Sequence, residues 1–267
     1  MAEPFPSVSD RPPLRVIDDP FAGSAELGAG ISAALLRRVA SGELEPSVQL
    51  HRTGPALAFG RLDKLRPGYA EATRIAREHG YEPIERIAGG RAAVFHEGTI
   101  SFSRAIRAAD AYTGTRPRFE EMAEQVATAL TALGAEARIG EVEGEYCPGA
   151  FSVNARGAVK LAGIGQRVIA GGAYVGGVVV VRGAGRVRTV LKPIYEALGI
   201  DWRPETTGSL ALELSEDDEP LPTGVADPLI ERTLAALRDV LARNHTLIDA
   251  ELDEVTRELA AQLRPSP

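Results

Sequence analysis

The segment from residue 137 to residue 181 constrains the fold most, because short apolar runs alternate there with single or paired glycines. Strands are predicted at 137–139, 151–154, 160–163, 166–169 and 173–181. Runs of this length fit strands better than helices, and tight turns between them favour antiparallel hairpins over parallel crossovers. The middle of the chain is therefore predicted to form an antiparallel sheet.

Helices and strands are mixed in the rest of the chain. Apolar residues at helical spacing predict helices at 24–39, 68–79, 117–133, 188–198, 227–243 and 249–263. Further strands are predicted at 48–52, 56–59, 83–87, 92–96 and 99–106, with a short strand or lead-in at 14–18. This order is not a regular βαβ series. It predicts an α+β fold, in which a mixed, largely antiparallel sheet is flanked by helices.

The length of 267 residues corresponds to between one and two domains. Residues 1–13 carry four prolines and little apolar content, which is typical of a disordered tail. Residues 14–225 are predicted to form the main domain, and residues 226–267 a helical C-terminal extension.

Charge and composition argue against several classes of protein. The net charge of −7, from 30 basic and 37 acidic residues, argues against nucleic-acid binding. No window of about 20 residues is free of charge, so no membrane span is expected. The start lacks a basic leader with an apolar block, and the single cysteine rules out an internal disulfide. We therefore expect a cytoplasmic protein. The four histidines lack metal-site spacing, and no metal site is expected.

The one cysteine, Cys147, stands in Glu145-Tyr-Cys-Pro-Gly149. Pro-Gly favours a turn, so the thiol is expected in a loop where a substrate can reach it. A thiolate attacks carbonyl carbons well, but the thiol needs a positive neighbour to ionise at neutral pH. Lys160 lies thirteen residues further on, across a predicted hairpin. The alternative is that Cys147 is a small buried hydrophobic residue.

Two other features suggest a binding site. Lys160 has apolar neighbours, so it is either a paired or functional lysine on a partly buried strand, or an exposed lysine on an edge strand. The glycine pair Gly89–Gly90 interrupts Arg86-Ile-Ala-Gly-Gly-Arg91. Paired glycines let the backbone approach a ligand closely, but they also occur in ordinary hairpin turns.

These segments, in this order, resemble the biotin/lipoyl protein ligase and lipoyl transferase superfamily. Arg86-Ile-Ala-Gly-Gly-Arg-Ala-Ala-Val-Phe-His-Glu-Gly98 is similar to the lipoyl-pocket motif of that family. Lys160 matches the lysine that the family uses at the acyl carbonyl. Tyr146-Cys-Pro-Gly149, followed by Lys160-Leu-Ala-Gly-Ile-Gly-Gln-Arg167, looks most like the octanoyl or lipoyl amidotransferases. The resemblance extends over residues 47–185.

The resemblance implies that residues 14–225 are a biotin/lipoyl ligase-type catalytic domain. It implies an acyltransferase that moves an octanoyl or lipoyl group from the glycine cleavage H protein to a lysine of the lipoyl domains of 2-oxoacid dehydrogenases. Cys147 would carry the acyl group as a thioester, and Lys160 would polarise the acyl carbonyl or shuttle protons. No cofactor is implied for this reaction. The implied substrate-binding residues are Arg86, Gly89, Gly90, Arg91, His96 and Gly163.

The chain also departs from the family pattern. Ala88 stands where many relatives have Ser or Thr, and Arg91 stands where ATP-dependent ligases have a third glycine. His96 falls where a related transferase carries an acid. These differences weaken any case for nucleotide binding, and the absence of Gly-Arg-Gly-Arg argues against biotin.

Three alternatives remain open from the sequence. The first is an ATP-dependent lipoate–protein ligase, which would need ATP and Mg²⁺ but no cysteine. The second is a non-catalytic protein that binds the carrier and in which Cys147 is structural. The third is a transferase whose donor is an acyl carrier protein. The choice between octanoyl and lipoyl groups, the acceptor and the oligomeric state are also open.

Overall fold

The computed structural model describes residues 11–18, 25–110 and 112–263. The strands are β1 (Pro13–Ile17), β2 (Ser47–Arg52), β3 (Ala56–Phe59), β4 (Glu82–Glu85), β5 (Ala93–Phe95), β6 (Thr99–Arg107), β7 (Ala137–Ile139), β8 (Val153–Ala155), β9 (Val159–Ile169), β10 (Gly172–Val180) and β11 (Thr246–Asp249). The helices are α1 (Ala25–Ser41), α2 (Tyr69–Glu78), α3 (Thr115–Ala132), α4 (Ala184–Leu198), α5 (Leu210–Glu213), α6 (Pro228–Ala242) and α7 (Glu254–Gln262), with a 3₁₀ turn at Pro204–Thr206.

The strands form two sheets. The larger one has eight strands in the order β11-β1-β2-β6-β10-β9-β8-β7, and the smaller one has the order β4-β3-β5. In the larger sheet only β11, β1 and β2 run parallel, and every other neighbouring pair is antiparallel. Helices pack on both sheets. The predicted α+β fold with a mixed, largely antiparallel sheet flanked by helices is therefore confirmed.

The small sheet positions the site because β3 is buried on both faces. Leu57 and Phe59 pack into the apolar cluster that contains residues of α2 and α4. Side chains alternate along a strand, so Ala56 and Ala58 point to the opposite face. There they line a cavity, whose other wall includes residues of α1. The two alanines leave space that larger side chains would fill.

The central strand β9 corrects one prediction. Two strands at 160–163 and 166–169 were expected, separated by a glycine turn, but the structure has a single strand, Val159–Ile169. Gly165 is not a turn residue: it pairs with Gly176 inside the sheet. A Cβ atom at Gly165 would lie 2.9 Å from the carbonyl oxygen of Gly89, so glycine is needed there for close packing.

The C-terminal segment contains more than the two predicted helices. The segment 226–267 was expected to be helical, but β11 pairs in parallel with β1 and so extends the main sheet. Asp227 and Asp253 accept hydrogen bonds from backbone N–H groups at the starts of α6 and α7, which sets where these helices begin. The division of the chain at residue 225 stays a prediction.

The predicted disordered tail falls mostly on residues 1–10, which lie outside the described residues. Pro13, its last residue, is the first residue of β1 and is therefore ordered. Over the described part of the chain, no helix has the length and apolar character needed to cross a bilayer.

Candidate active site

Three segments that are distant in sequence meet beside the small sheet. The segment between β4 and β5 carries Arg86, the glycine pair and Arg91. The loop between β7 and β8 carries Cys147, as predicted, and β9 carries Lys160. The structure therefore brings together the three sequence features that suggested a site.

Close backbone contacts join these segments. A Cβ atom at Gly60 would lie 1.7 Å from the carbonyl oxygen of Gly90, and one at Gly90 would lie 2.9 Å from the sulfur of Cys147. Gly90 also has a φ of 119°, which disfavours any side chain. Because β4 and β5 both pair with β3 and not with each other, the glycine pair is not a hairpin turn. Its role is to bring backbone up to the thiol.

Buried groups hold the backbone of Cys147 on both sides. Its N–H donates to the hydroxyl oxygen of Tyr195 at 2.9 Å, and that hydroxyl donates to the carbonyl oxygen of Ala92 at 3.0 Å. Its carbonyl oxygen accepts from Lys160 Nζ at 2.7 Å. Cys147 has a φ of 43°, in the left-handed region that non-glycine residues seldom adopt. These hydrogen bonds maintain that conformation and with it the direction of the thiol.

The sulfur of Cys147 lies among donors. It accepts from the backbone N–H of Arg91 at 3.2 Å and from Arg86 Nη1 at 3.6 Å. Burial raises the pKa of this thiol, but the charges of Arg86 and Lys160 and the Arg91 N–H outweigh burial and hold the pKa below its usual value. The geometry thus increases the fraction of thiolate, which is the nucleophilic form.

We predict that Arg86→Gln makes the thiol less reactive at neutral pH. Loss of the guanidinium charge raises the pKa of Cys147, so the pH dependence of its alkylation by iodoacetamide should shift to higher pH. Arg91→Gln is the matched control, because Arg91 reaches the sulfur through its backbone N–H and should keep the wild-type profile. Identical profiles for Arg86→Gln and wild type would show that the guanidinium does not activate the thiol.

Lys160 is fully buried and makes three hydrogen bonds. Nζ donates to Glu145 Oε1 at 3.0 Å, to the carbonyl oxygen of Tyr146 at 3.0 Å and to that of Cys147. Glu145 in turn accepts from the backbone N–H groups of Val142 and Gly149. The alternative of an exposed lysine on an edge strand is wrong. Lys160 fixes the loop that bears the cysteine, and it is Arg86 that is hydrogen-bonded to the sulfur.

Two of the implied substrate-binding residues have other surroundings. Gly163 lies under the lysine: a Cβ atom there would be 3.2 Å from Lys160 Cε. His96 is fully buried, and its Nδ1 accepts from the N–H of Gly98 within its own turn. Burial lowers the pKa of His96 to about 4. It is not brought to the cysteine, because its turn packs against Gly183 and Pro220 instead.

A cavity of about 270 Å³ extends from Arg86 between the small sheet and α1. Its lining is mostly apolar or small and includes Gly28, Ala29, Ala56, Ala58, Ile84, Ile87 and Phe95. His51 also lines it, and burial lowers the pKa of this imidazole to about 3, so it is neutral at physiological pH. Arg86 contacts both the cavity and the sulfur. An apolar chain in the cavity can therefore have its head group at the thiol.

Sequence reasoning missed several residues of the site. Tyr195 lies 48 residues from Cys147, and Glu145 carries no motif of its own. The sequence predicted α1 as a helix but not as a wall of the cavity, which its small residues Gly28 and Ala29 line. Over the part of the chain that the structure describes, no cluster of three or more His, Cys, Asp or Glu residues could hold a metal ion.

Comparison with known proteins places the chain in a family. The family model described as the lipoyl protein ligase A/B catalytic domain matches residues 28–202. The octanoyl-[GcvH]:protein N-octanoyltransferase of Geobacillus kaustophilus is 30% identical over 192 residues, which cover 71% of this chain and 68% of that protein. The protein of the same name from Anoxybacillus flavithermus is 29% identical over 258 residues, covering 94% and 86% of the two chains.

Solved structures show the same fold at lower sequence identity. A lipoate-protein ligase A bound with ATP superposes with a TM-score of 0.65 at 17% identity, covering 95% of this chain and 94% of that one. A bipartite lipoate protein ligase from Thermoplasma acidophilum has a TM-score of 0.66 at 17% identity, covering 95% and 91%. Together with the family model and the curated relatives, these matches show that the chain belongs to the lipoyl protein ligase A/B catalytic-domain family.

Proposed function

We propose that this protein is an acyltransferase that moves an octanoyl or lipoyl group from the glycine cleavage H protein to a lysine of lipoyl domains. One observation carries the proposal: the Cys147 thiol accepts hydrogen bonds from Arg86 and the Arg91 N–H, and Arg86 also lines an apolar cavity. The curated relatives named octanoyl-[GcvH]:protein N-octanoyltransferase support the donor and the reaction. A relative from Listeria monocytogenes is named lipoyl-[GcvH]:protein N-lipoyltransferase, and it is 26% identical over 119 residues.

In the first half-reaction, the thiolate of Cys147 attacks the carbonyl carbon of the acyl-lysine amide. The carbon–sulfur bond forms, the carbon–nitrogen bond breaks, and the departing lysine nitrogen takes up a proton. In the second half-reaction, the amine of the acceptor lysine attacks the thioester, loses a proton and releases the thiolate. One amide is exchanged for another, so neither ATP nor a metal enters the balance.

Arg86 is suited to stabilise the oxyanion of each tetrahedral intermediate. Its Nη1 donates to the sulfur and to the carbonyl oxygen of Arg91. Among the described residues, its Nε and Nη2 atoms have no hydrogen-bond partner, so these donors are available to a substrate oxygen. A donor of this kind contributes about 3 kcal/mol to transition-state stabilisation.

Lys160 is the candidate for the proton transfers. All three of its protons are engaged, so it reaches the departing nitrogen only by giving up one bond. The bond to the carbonyl oxygen of Cys147 is the one at the reacting residue, and we assign the exchange to it. The proton that Lys160 gives to the departing lysine is returned by the acceptor amine in the second half-reaction.

The proposal is tested by mixing the purified protein, octanoylated H protein and an unmodified lipoyl domain without ATP. We expect the octanoyl group to appear on the lipoyl domain, detected by intact-protein mass spectrometry. If transfer requires free octanoate or lipoate together with ATP and Mg²⁺, the protein is a ligase. If no adduct and no transfer form under either condition, the carrier-binding alternative holds.

The cavity predicts the effect of Ala58→Phe. A phenyl ring at this buried position occupies the space assigned to the acyl chain, so octanoyl transfer should fall roughly tenfold or more. Transfer of a butyryl group from a butyrylated donor should be much less affected, and it serves as the internal control for folding. An equal loss of both activities would indicate general damage, and unchanged octanoyl transfer would place the acyl chain elsewhere.

A further inference from the structure

A second cleft, of about 360 Å³, is rich in arginine and is lined by Arg86, the residue that is hydrogen-bonded to the thiol. Its lining includes Arg37 on α1, Arg61 after β3 and Arg167 on β9, together with Arg86. We call Arg37, Arg61 and Arg167 the arginine rim. All three are exposed, although they come from three separate elements of the fold.

The arginine rim groups three positive charges around one cleft without neutralising them. Within the described ranges, none of its three guanidinium groups has an ion pair or hydrogen bond. Other exposed arginines of the chain, such as Arg74 and Arg116, pair with glutamates on their own helix. The formal net charge of the chain is −7, so this cluster of positive charge is opposite in sign to the molecule as a whole.

Backbone contacts connect the rim to the thiol through the glycine pair. Arg61 follows Gly60, whose Cα packs on the carbonyl oxygen of Gly90. Arg167 follows Gln166, whose carbonyl oxygen accepts the N–H of Gly89 at 3.3 Å. Two rim residues thus border the glycine pair, and Gly90 contacts the sulfur of Cys147.

Exposed leucines lie beside the rim. Leu62 is 68% exposed and Leu65 is 79% exposed, and both border a shallow pocket together with Arg61. Arginine combined with exposed apolar side chains is the composition of protein interfaces, whereas a site for a small anion needs no exposed leucines. Glu85 also lines the cleft, but its carboxylate pairs with Lys64 at 2.8 Å, so it does not neutralise the rim.

We propose that the arginine rim, with Leu62 and Leu65, is the surface on which an acidic acyl-carrier domain docks and presents its acylated lysine to Cys147. This inference rests on the proposed function. The negative charge of the rest of the molecule repels such a domain and the rim attracts it, so electrostatics orient the encounter. Docking must also let the acyl chain enter the apolar cavity. Arg86 lines both this cavity and the arginine-rich cleft, so the two are adjacent.

The test compares two double variants. Arg61→Gln/Arg167→Gln removes two rim charges, and Arg77→Gln/Arg243→Gln removes two exposed charges that do not line the cleft. At low ionic strength the rim variant should raise the KM for octanoylated H protein roughly tenfold and weaken its dependence on salt. Acylation of Cys147 by a small octanoyl thioester, which needs no docking, should be unchanged in both variants.

Two outcomes overturn the docking surface. One is a rim variant with the same KM and salt dependence as the control variant. The other is rim-dependent binding of inorganic phosphate or ATP by calorimetry without any change in the KM for H protein, which would assign the rim to a small anion. Failure of the proposed function can be distinguished from both outcomes, because the wild-type protein would then transfer no octanoyl group from H protein at all.

Discussion

Replacement of Cys147 by serine is expected to abolish transfer from octanoylated H protein, lowering the rate roughly a thousandfold or more. The serine hydroxyl keeps the shape of the side chain, but the charges of Arg86 and Lys160 are too weak to ionise an alcohol at neutral pH. The measurement is the rate at which the octanoyl group appears on an unmodified lipoyl domain in the absence of ATP.

The same experiment locates the intermediate. Without acceptor, the wild-type protein should gain the mass of one octanoyl group, and hydroxylamine should remove it, as expected of a thioester. The chain has a single cysteine, so a thioester can form only at Cys147. The serine variant should gain no mass while its thermal unfolding stays close to that of wild type. Full transfer by the serine variant would refute the thioester route.

Replacement of Lys160 by methionine is expected to be the most destabilising change at the site. The side chains of Lys160 and Glu145 are 1% and 0% exposed and form an ion pair, so methionine leaves a buried carboxylate without its partner. Loss of one member of a buried pair costs about 3–5 kcal/mol. For a chain of this size the melting temperature should fall by about 10 °C. Differential scanning calorimetry measures this change.

A second variant separates stability from catalysis. In Glu145→Gln/Lys160→Met the buried charge is removed on both sides, so part of the lost melting temperature should return. Octanoyl transfer should not return, because the proton donor is absent. The alkylation profile of Cys147 should stay shifted to higher pH, since the Lys160 charge lowers the pKa of this thiol. A stable double variant with normal transfer would reduce Lys160 to a structural role.

Local sequence patterns predicted most of the secondary structure, because turns and apolar periodicity are local properties. β3 was predicted residue for residue at Ala56–Phe59, and α2 to within a residue at each end. Two kinds of error occurred. Gly165 was interpreted as a turn although it serves close packing, and β11 was missed because a short strand at the edge of a sheet depends on a distant partner.

The site was predictable only in part. Cys147, Lys160 and the glycine pair could be named because each carries a local signal: a Cys-Pro-Gly turn, a lysine among apolar residues and a break in a strand. The contacts of Arg86 and Tyr195 with Cys147 could not be predicted from the sequence. These residues lie 61 and 48 positions from Cys147, and nothing local in either segment indicates that they meet it.

The sequence by itself determined the α+β class, and it singled out the cysteine proposed as nucleophile and the lysine near it, because these depend on residue type and short-range spacing. Only the tertiary structure decided that β2 and β3 enter different sheets and leave a cavity beside α1, that the sulfur is hydrogen-bonded to Arg86, and that Lys160 holds the Cys147 backbone. Each of these depends on contacts between segments far apart in the chain, which form only when the sheets and helices pack together.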